Sequence, residues 1–227
     1  MSEARGLVFD LDGTLVDSYG AITESLNTAR AAFGLPSLDE SIVRGLVGRG
    51  LESLLEPQVG AERVEAAVRV FRERYAQIGV ARTTALPGVA AGLRTLDEHG
   101  YRMAVATNKP AAFAAPILEA LSLAHHFPCI AGPDRVGATK PDPRMLRHCL
   151  RALDVTPERA CYVGDMALDV ETADRAGVRV ILVCGGSSTR EELERTGRTV
   201  VPTFEALVRT LLAADAITSA RDAPNPS

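Results

Sequence analysis

Several features that mark other classes of protein are missing or scarce in this 227-residue chain. No apolar run reaches the roughly 20 residues that cross a membrane as a helix, and no apolar leader precedes the first predicted strand. Positive charge is not in excess, because the formal net charge is −4 and the two signs are interspersed. A nucleic-acid-binding protein would favour a basic face. We therefore expect a cytoplasmic protein that binds neither a membrane nor nucleic acid.

Cysteine is also scarce, and its spacing does not match the common metal and redox motifs. The four cysteines form no CxxC pair and have no histidine at zinc-finger spacing: Cys129, Cys149, Cys161 and Cys184. We predict that they are buried free thiols. Lysine is scarcer still and arginine far commoner, which makes a lysine inside a motif notable.

What is present is a regular alternation of strands and helices. Six short apolar runs predict strands at residues 6–10, 102–107, 128–131, 160–164, 179–183 and 199–201. From Leu86 onward the strands alternate with helical stretches, one of which is predicted to open near Pro141. This alternation predicts an α/β fold with a parallel sheet and helices on both of its faces.

Residues 17–84 differ from the rest of the chain because they show no convincing strand. Apolar residues recur there at helical spacing, and residues 37–40 have the pattern of a capping box. We predict an all-helical insert between the first strand and the remainder of the sheet. A second capping-box pattern lies at residues 188–191. Residues 216–227 are small, polar and proline-containing, and we predict that they are disordered.

The most informative motif follows the first strand. Asp10 and Asp12 stand two residues apart at its carboxyl end, and Gly13 and Thr14 come next. Side chains at i and i+2 share a face of an extended chain, and two close carboxylates need a cation or a shared proton. One aspartate can attack a phosphoryl group, and its neighbour can transfer protons. The structural alternative is an ordinary Asp-Gly turn.

Three other predicted strands also lead into polar residues. Thr107 and Asn108 suit either an anion site or a simple cap at a helix N-terminus. Lys140 suits an anion-compensating role or an ordinary surface position. Asp165 and Asp169 lie one helical turn apart and offer the oxygen ligands that Mg²⁺ prefers. The structural alternative is that Asp165 caps the N-terminus of a helix and Asp169 is an exposed residue of that helix. Because the carboxyl ends of parallel strands meet at one edge, we expect these side chains to converge.

Together these motifs resemble the four signature motifs of the haloacid dehalogenase superfamily. The resemblance rests on residues 10–18, 107–109 and 140–141 and on Asp165 and Asp169 in a Gly-Asp-x-x-x-Asp pattern, in the order that the superfamily has. It implies a Rossmann-like core of residues 1–16 and 85–215 and an inserted α-helical cap of residues 17–84. It also implies Mg²⁺-dependent phosphoryl transfer. Dehalogenase members lack an acid at the position of Asp12, so dehalogenation is not expected.

The resemblance further implies catalytic roles. Asp10 would be the nucleophile and Asp12 the general acid and base. Thr107 and Lys140 would hold the phosphoryl group. Mg²⁺ would be bound by Asp10, by the backbone carbonyl of Asp12 and by two further aspartates. Of these, Asp165 would bind directly and Asp169 either directly or through water.

Within the superfamily, residues 107–110 and 47–51 resemble phosphoglycolate phosphatases. Arg49 would then bind the non-phosphate end of a small phosphorylated metabolite such as 2-phosphoglycolate, unless it is a surface arginine at a helix terminus. Thr14 and Asn108 are further candidates for substrate binding. The chain is expected to be a monomer or a homodimer.

Three alternatives to a phosphoglycolate phosphatase remain open at this point. One is a phosphosugar mutase similar to β-phosphoglucomutase, in which Asp12 returns the phosphoryl group to the substrate. Another is a phosphatase that acts on nucleotides or pyrophosphate. The third is a non-catalytic, phosphate-binding interaction module on the same fold.

Overall fold

The computed structural model describes residues 5–221, with side chains as far as residue 214. Its centre is a six-stranded parallel sheet in the order β5-β4-β1-β6-β7-β8, and β2 and β3 form a separate antiparallel pair. The strands are β1 Arg5–Phe9, β2 Val16–Asp17, β3 Thr84–Ala85, β4 Tyr101–Ala106, β5 Ile130–Ala131, β6 Ala160–Gly164, β7 Arg179–Val183 and β8 Thr199–Val201. The predicted α/β fold with a parallel sheet is confirmed.

Helices cover the sheet and fill the segment between β2 and β3. The first four lie in that segment: α1 Tyr19–Ala31, α2 Glu40–Arg44, α3 Leu51–Val59 and α4 Val64–Ile78. The others follow β3: α5 Val89–Glu98, α6 Ala111–Ala120, α7 Pro133–Val136, α8 Arg144–Leu153, α9 Ala167–Ala176, α10 Arg190–Glu194 and α11 Phe204–Arg221. Within the described residues, none of these helices is both long and apolar enough to cross a membrane.

Both faces of the sheet are buried, which explains why its strands read as continuous apolar runs. Successive side chains of a strand point to opposite faces. In β1, Leu7 and Phe9 belong to the larger apolar cluster, together with residues of α1, α4, α5, α6 and α11. Val8 belongs to the smaller cluster, with residues of α8 and α9. The carboxyl edge of the sheet is therefore the place where polar side chains gather.

The segment between β2 and β3 contains the predicted helices, and it is enclosed by a ribbon that the sequence did not indicate. Val16 pairs with Ala85 and Asp17 with Thr84 in antiparallel register. Strands of two residues are too short to show the period-two alternation by which strands are recognised. We call residues 17–84 the helical insert. It enters and leaves the core side by side at this ribbon.

Neither predicted capping box forms where the sequence placed it. Helix α2 begins at Glu40, later than a cap at the start of the predicted box would require, and has no side-chain cap. Leu38, inside the predicted box, instead hydrogen-bonds to the Asn27 side chain through its N at 2.8 Å and its O at 2.9 Å. The second box forms one residue later than predicted. Thr189 Oγ1 accepts from Glu192 N at 3.3 Å, and Glu192 Oε2 accepts from Thr189 N at 2.8 Å.

Two other boundaries differ from the predictions. Helix α8 begins at Arg144 rather than near Pro141. Helix α11 continues to Arg221 and so enters the segment 216–227 that we predicted to be disordered, while residues 222–227 lie outside the described residues. All four cysteines are free, and only Cys184 is not fully buried.

Candidate active site

The site lies at the carboxyl edge of three adjacent strands, β4, β1 and β6. Asp10 follows β1, Thr107 follows β4 and Asp165 follows β6. Backbone hydrogen bonds continue the sheet just past the strands, with Asp10 N donating to Val163 O at 2.8 Å and Thr107 N donating to the neighbouring strand at 3.0 Å. The expected convergence of these strand ends is therefore present.

Lys140 lies between two buried carboxylates. Its Nζ is 2.8 Å from Asp10 Oδ2 and 2.8 Å from Asp169 Oδ1. All three side chains are buried, and Lys140 is only 3% exposed. Burial acts to lower the pKa of Lys140, but the charges of Asp10 and Asp169 outweigh it and hold the pKa above its usual range. Lys140 is therefore a fixed positive charge inside the site.

Asp165 is held by the loops on both sides of it. Its Oδ1 accepts from Thr14 Oγ1 at 3.1 Å, and its Oδ2 accepts from Ser187 N at 2.6 Å. The turn after Asp12 needs glycine, because Gly13 has a φ of +82° and a Cβ there would be 2.6 Å from Asp165 Oδ2. Thr14 thus supports a carboxylate rather than facing the cavity described below.

Asp169 has protein partners on both carboxylate oxygens. Oδ1 accepts from Tyr162 Oη at 3.1 Å and from Lys140 Nζ at 2.8 Å. Oδ2 accepts from the backbone N–H groups of Asp165 and Met166, each at 3.0 Å. Asp169 therefore fixes the position of its neighbours by four hydrogen bonds.

The three carboxylates form a cluster that suits a hard cation. One oxygen of each of Asp10, Asp165 and Asp169 lies within 4.8 Å of the others. Among the described residues, Lys140 is the one cationic side chain that forms ion pairs with this cluster, through Asp10 and Asp169, so the three carboxylates outnumber their cation. Burial raises the pKa of Asp165 well above its usual range, and it raises that of Asp10 from 3.8 to about 6 although Lys140 opposes it. Oxygen donors with excess negative charge fit Mg²⁺.

These raised pKa values predict how the stability of the metal-free protein depends on pH. A carboxyl whose pKa rises on folding stabilises the fold below its unfolded pKa, and that contribution is lost as the pH rises through the folded pKa. For Asp10, whose pKa rises from 3.8 to about 6 on folding, this stabilisation is lost between those two pH values. The free energy of unfolding falls by on the order of 3 kcal/mol over that range. We expect the melting temperature of metal-free protein to fall between pH 4.5 and 7.5, as followed by circular dichroism.

The Asp10→Asn variant is the matched control for that measurement, because it removes one of the titrating groups without changing the size of the side chain. Its melting temperature should decline less than that of the wild-type protein over the same pH range. Equal declines in the two proteins would contradict a raised pKa at Asp10.

Asp12 lies at the entrance to the insert and is paired with a second lysine. Asp12 Oδ1 contacts Lys109 Nζ and accepts a hydrogen bond from Ser18 Oγ. Lys109 is 9% exposed, and its Nζ lies 5.1 Å from the centroid of the Tyr75 ring. Burial acts to lower the pKa of Lys109, but the charge of Asp12 outweighs it and raises the pKa. Asp12 thus contacts the helical insert through its hydrogen bond with Ser18.

Asn108 joins three parts of the site through its amide. Its Nδ2 donates to Gly48 O in the insert at 2.8 Å, and its Oδ1 accepts from Lys140 N at 2.7 Å. Thr107 Oγ1 accepts from Lys109 N at 3.1 Å. These contacts fix the end of β4 relative to Lys140 and connect both to the insert.

A cavity between core and insert contains most of the predicted site. The core lines it with Asp10, Asp12, Thr107, Asn108, Lys109 and Lys140. The insert lines it with Ile22, Val47, Gly48, Gly50, Leu51, Leu54, Phe71 and Tyr75. Arg49 is exposed and, unlike both of its neighbours, does not line the cavity. The position of Arg49 agrees with the surface alternative rather than with substrate binding.

Sequence reasoning gave no role to two residues that the structure places in the cavity, Lys109 and Tyr75. The scarcity of lysine points to Lys109, because the chain has only two lysines and the other one, Lys140, lies in a motif. Tyr75 carried no such signal. It lies at a helical spacing that is explained by the core alone, and only the fold shows that its ring faces Lys109.

Comparisons with known proteins agree with this geometry. The family model described as haloacid dehalogenase-like hydrolase matches residues 7–183. A phosphoglycolate phosphatase of Cupriavidus necator is 41% identical over 183 residues, which is 78% of this chain and 79% of that protein. A phosphoglycolate phosphatase of Mesorhizobium japonicum is 35% identical over 208 residues, which is 88% of this chain and 92% of that protein.

A solved structure gives the same result for the fold. The crystal structure of a predicted phosphatase from Clostridium acetobutylicum superimposes with a TM-score of 0.85 at 28% identity, covering 93% of this chain and 100% of that one. The match includes both the sheet and the insert. The chain therefore belongs to the haloacid dehalogenase-like hydrolases, and it is a phosphoric monoester hydrolase similar to the phosphoglycolate phosphatases.

Proposed function

We propose that this enzyme is a Mg²⁺-dependent phosphatase that hydrolyses 2-phosphoglycolate or a closely similar small ester through an aspartyl-phosphate on Asp10. The observation that carries the proposal is the position of Asp10. Its carboxylate lines the cavity, and its Oδ2 lies 2.8 Å from the buried ammonium of Lys140. A carboxylate held beside a fixed cation is suited to attack an electrophile that carries negative charge.

In the first step, an oxygen of Asp10 attacks phosphorus in line with the leaving oxygen. The P–O bond to the alcohol breaks as the acyl phosphate forms. Lys140 offsets negative charge on the phosphoryl oxygens, and Thr107 lies beside them at the end of the next strand. Positioning and electrostatic stabilisation account for most of the catalysis in phosphoryl transfer.

In the second step, water replaces the aspartate. Asp12 would enter the first step in its protonated form and give that proton to the leaving alkoxide, and as a carboxylate it would then take a proton from the attacking water, which restores its starting form. Its position supports this assignment, because it lines the cavity two residues from Asp10, on the side of the insert. The products are the alcohol and inorganic phosphate.

Asp10, Asp165 and the backbone carbonyl of Asp12 would hold Mg²⁺. When bound, the ion supplies a Lewis acid that neutralises charge on the phosphoryl oxygens. Both oxygens of Asp169 already accept hydrogen bonds from protein groups, which favours a contact through water for this residue. Thr14 supports Asp165 by a hydrogen bond of 3.1 Å.

A panel of phosphate esters assayed with Mg²⁺ tests the substrate. We expect 2-phosphoglycolate to give the highest kcat/KM among 2-phosphoglycolate, para-nitrophenyl phosphate, nucleoside monophosphates, pyrophosphate and β-glucose 1-phosphate, with release of inorganic phosphate as the measurement. Formation of glucose 6-phosphate faster than phosphate release would favour the mutase. No turnover of any ester by correctly folded protein would favour the binding module.

A further inference from the structure

The cavity wall opposite the phosphoryl end is largely apolar. Six side chains of the insert and α6 share this character: Ile22, Val47, Leu51, Leu54, Phe71 and Phe113. Lys109 and Lys140 are the only cationic side chains among the described residues that line the cavity. Lys140 is held between Asp10 and Asp169. Of these two cations, Lys109 is therefore the one that can bind an anionic group on the leaving alcohol.

Lys109 retains the capacity to bind a ligand. An ammonium has three N–H donors. The Asp12 carboxylate takes one, and Ser18 Oγ at 3.3 Å takes another. Its Nζ also faces the Tyr75 ring, with 5.1 Å to the centroid. The third donor lies near Tyr75, and because Lys109 lines the cavity, a negatively charged group that enters can accept a hydrogen bond from this donor in place of the neutral hydroxyl.

Tyr75 presents a buried hydroxyl that makes no hydrogen bond of ordinary geometry among the described residues, although Lys109 lies near enough to interact with it electrostatically. The side chain is 2% exposed. A buried polar atom without such a hydrogen bond destabilises the fold. The ring cannot easily turn away, because it stacks on Phe71 with 5.7 Å between centroids and meets Phe113 edge-on at 5.3 Å. A ligand oxygen in the cavity would satisfy the hydroxyl.

We propose that Lys109 and Tyr75 form an anion-binding subsite that holds a carboxylate on the leaving group of the substrate. The inference rests on the proposed phosphatase function and names the residues that select its substrate. It replaces Arg49, which the sequence suggested for the same task and which is exposed. One carboxylate oxygen would accept from Lys109 Nζ and the other from Tyr75 Oη.

The test compares two esters that differ in the carboxylate alone. Ethyl phosphate has a methyl group in the place of the carboxylate of 2-phosphoglycolate. The measured quantity is the ratio of kcat/KM for 2-phosphoglycolate to kcat/KM for ethyl phosphate. Lys109→Met should lower the ratio at least about tenfold, as expected when a charge-assisted hydrogen bond is lost. Tyr75→Phe should lower it roughly three- to tenfold, as expected for a neutral one.

Two further variants and one stability measurement sharpen the result. Arg72→Met removes a half-exposed cation from the helix that carries Tyr75, α4, and should leave the ratio unchanged. Tyr75→Phe should change the melting temperature of substrate-free protein little, because the hydroxyl that it removes makes no hydrogen bond of ordinary geometry among the described residues. If Lys109→Met does not fold, the test rests on Tyr75→Phe alone. A kcat/KM ratio of the two esters that is unchanged in Tyr75→Phe would then overturn the subsite.

Several outcomes would overturn the inference. Equal losses on both esters in Lys109→Met would mean that Lys109 acts only through Asp12. If Arg49→Met lowered the ratio and Lys109→Met did not, Arg49 rather than Lys109 would be the residue that binds the carboxylate. A wild-type enzyme that hydrolyses both esters equally well would overturn the subsite and leave the phosphatase intact. Hydrolysis of neither ester would overturn the proposed function, and this inference with it.

Discussion

Replacing Asp10 with asparagine should abolish turnover while leaving the fold intact. The substitution keeps the shape of the side chain but removes the nucleophilic carboxylate, and the loss of a nucleophile costs on the order of 10⁴-fold or more in kcat. Phosphate release from the best ester of the panel, measured with Mg²⁺ at pH 7.5, checks the loss. The residual rate should lie near the background of the assay.

A loss of fold can be separated from this loss of chemistry. Asp10 is one of three clustered buried carboxylates and shares the ammonium of Lys140 with Asp169, so a neutral residue there should not lower the melting temperature of the metal-free protein. Asp174→Asn is the matched control. That aspartate pairs with Arg198 at 2.8 Å on the surface, where such pairs contribute about 0–1 kcal/mol, and its variant should turn over normally. An Asp10→Asn enzyme with normal turnover would contradict the nucleophile assignment.

The part of the site that follows strand ends was predictable from sequence for a physical reason. β1, β4 and β6 are buried on both faces, so each appears as an apolar run followed at once by polar residues. Parallel strands bring those ends to one edge. Asp10, Thr107 and Asp165 therefore converge as expected. The predicted bounds of β6 and β7 agree with the structure at both ends.

The leaving-group side of the cavity was not predictable in the same way. It is built by helices, whose apolar residues are explained by packing whether or not they also face a ligand. Arg49 was chosen because it is a cation in a family-like stretch, but the flanking glycines, not the arginine, line the cavity. The scarcity of lysine was the better guide. Both lysines of the chain are buried in the site, while all the other lysine-or-arginine positions are arginine.

Removing divalent metal should also abolish turnover, and adding Mg²⁺ should restore it. Three buried carboxylates face one ammonium, so the site holds negative charge that a divalent cation would neutralise. For the same reason, we expect EDTA-treated protein to have a lower melting temperature at pH 7.5 and to recover it on addition of Mg²⁺. At pH 4.5 the recovery should be smaller, because protonation of Asp10 and Asp165 already removes the charge. Full turnover after exhaustive dialysis against EDTA would contradict a metal-dependent mechanism.

Thr14→Val distinguishes a metal site from a general electrostatic effect. The substitution keeps the branched shape of the side chain but removes the 3.1 Å hydrogen bond that orients Asp165. Loss of a group that orients a metal ligand typically weakens metal affinity about 10- to 100-fold. The Mg²⁺ concentration for half-maximal turnover should rise by that factor, whereas KM for the ester at saturating Mg²⁺ should stay close to the wild-type value. The opposite pattern, a raised KM with unchanged Mg²⁺ dependence, would return Thr14 to the substrate-binding role that the sequence suggested.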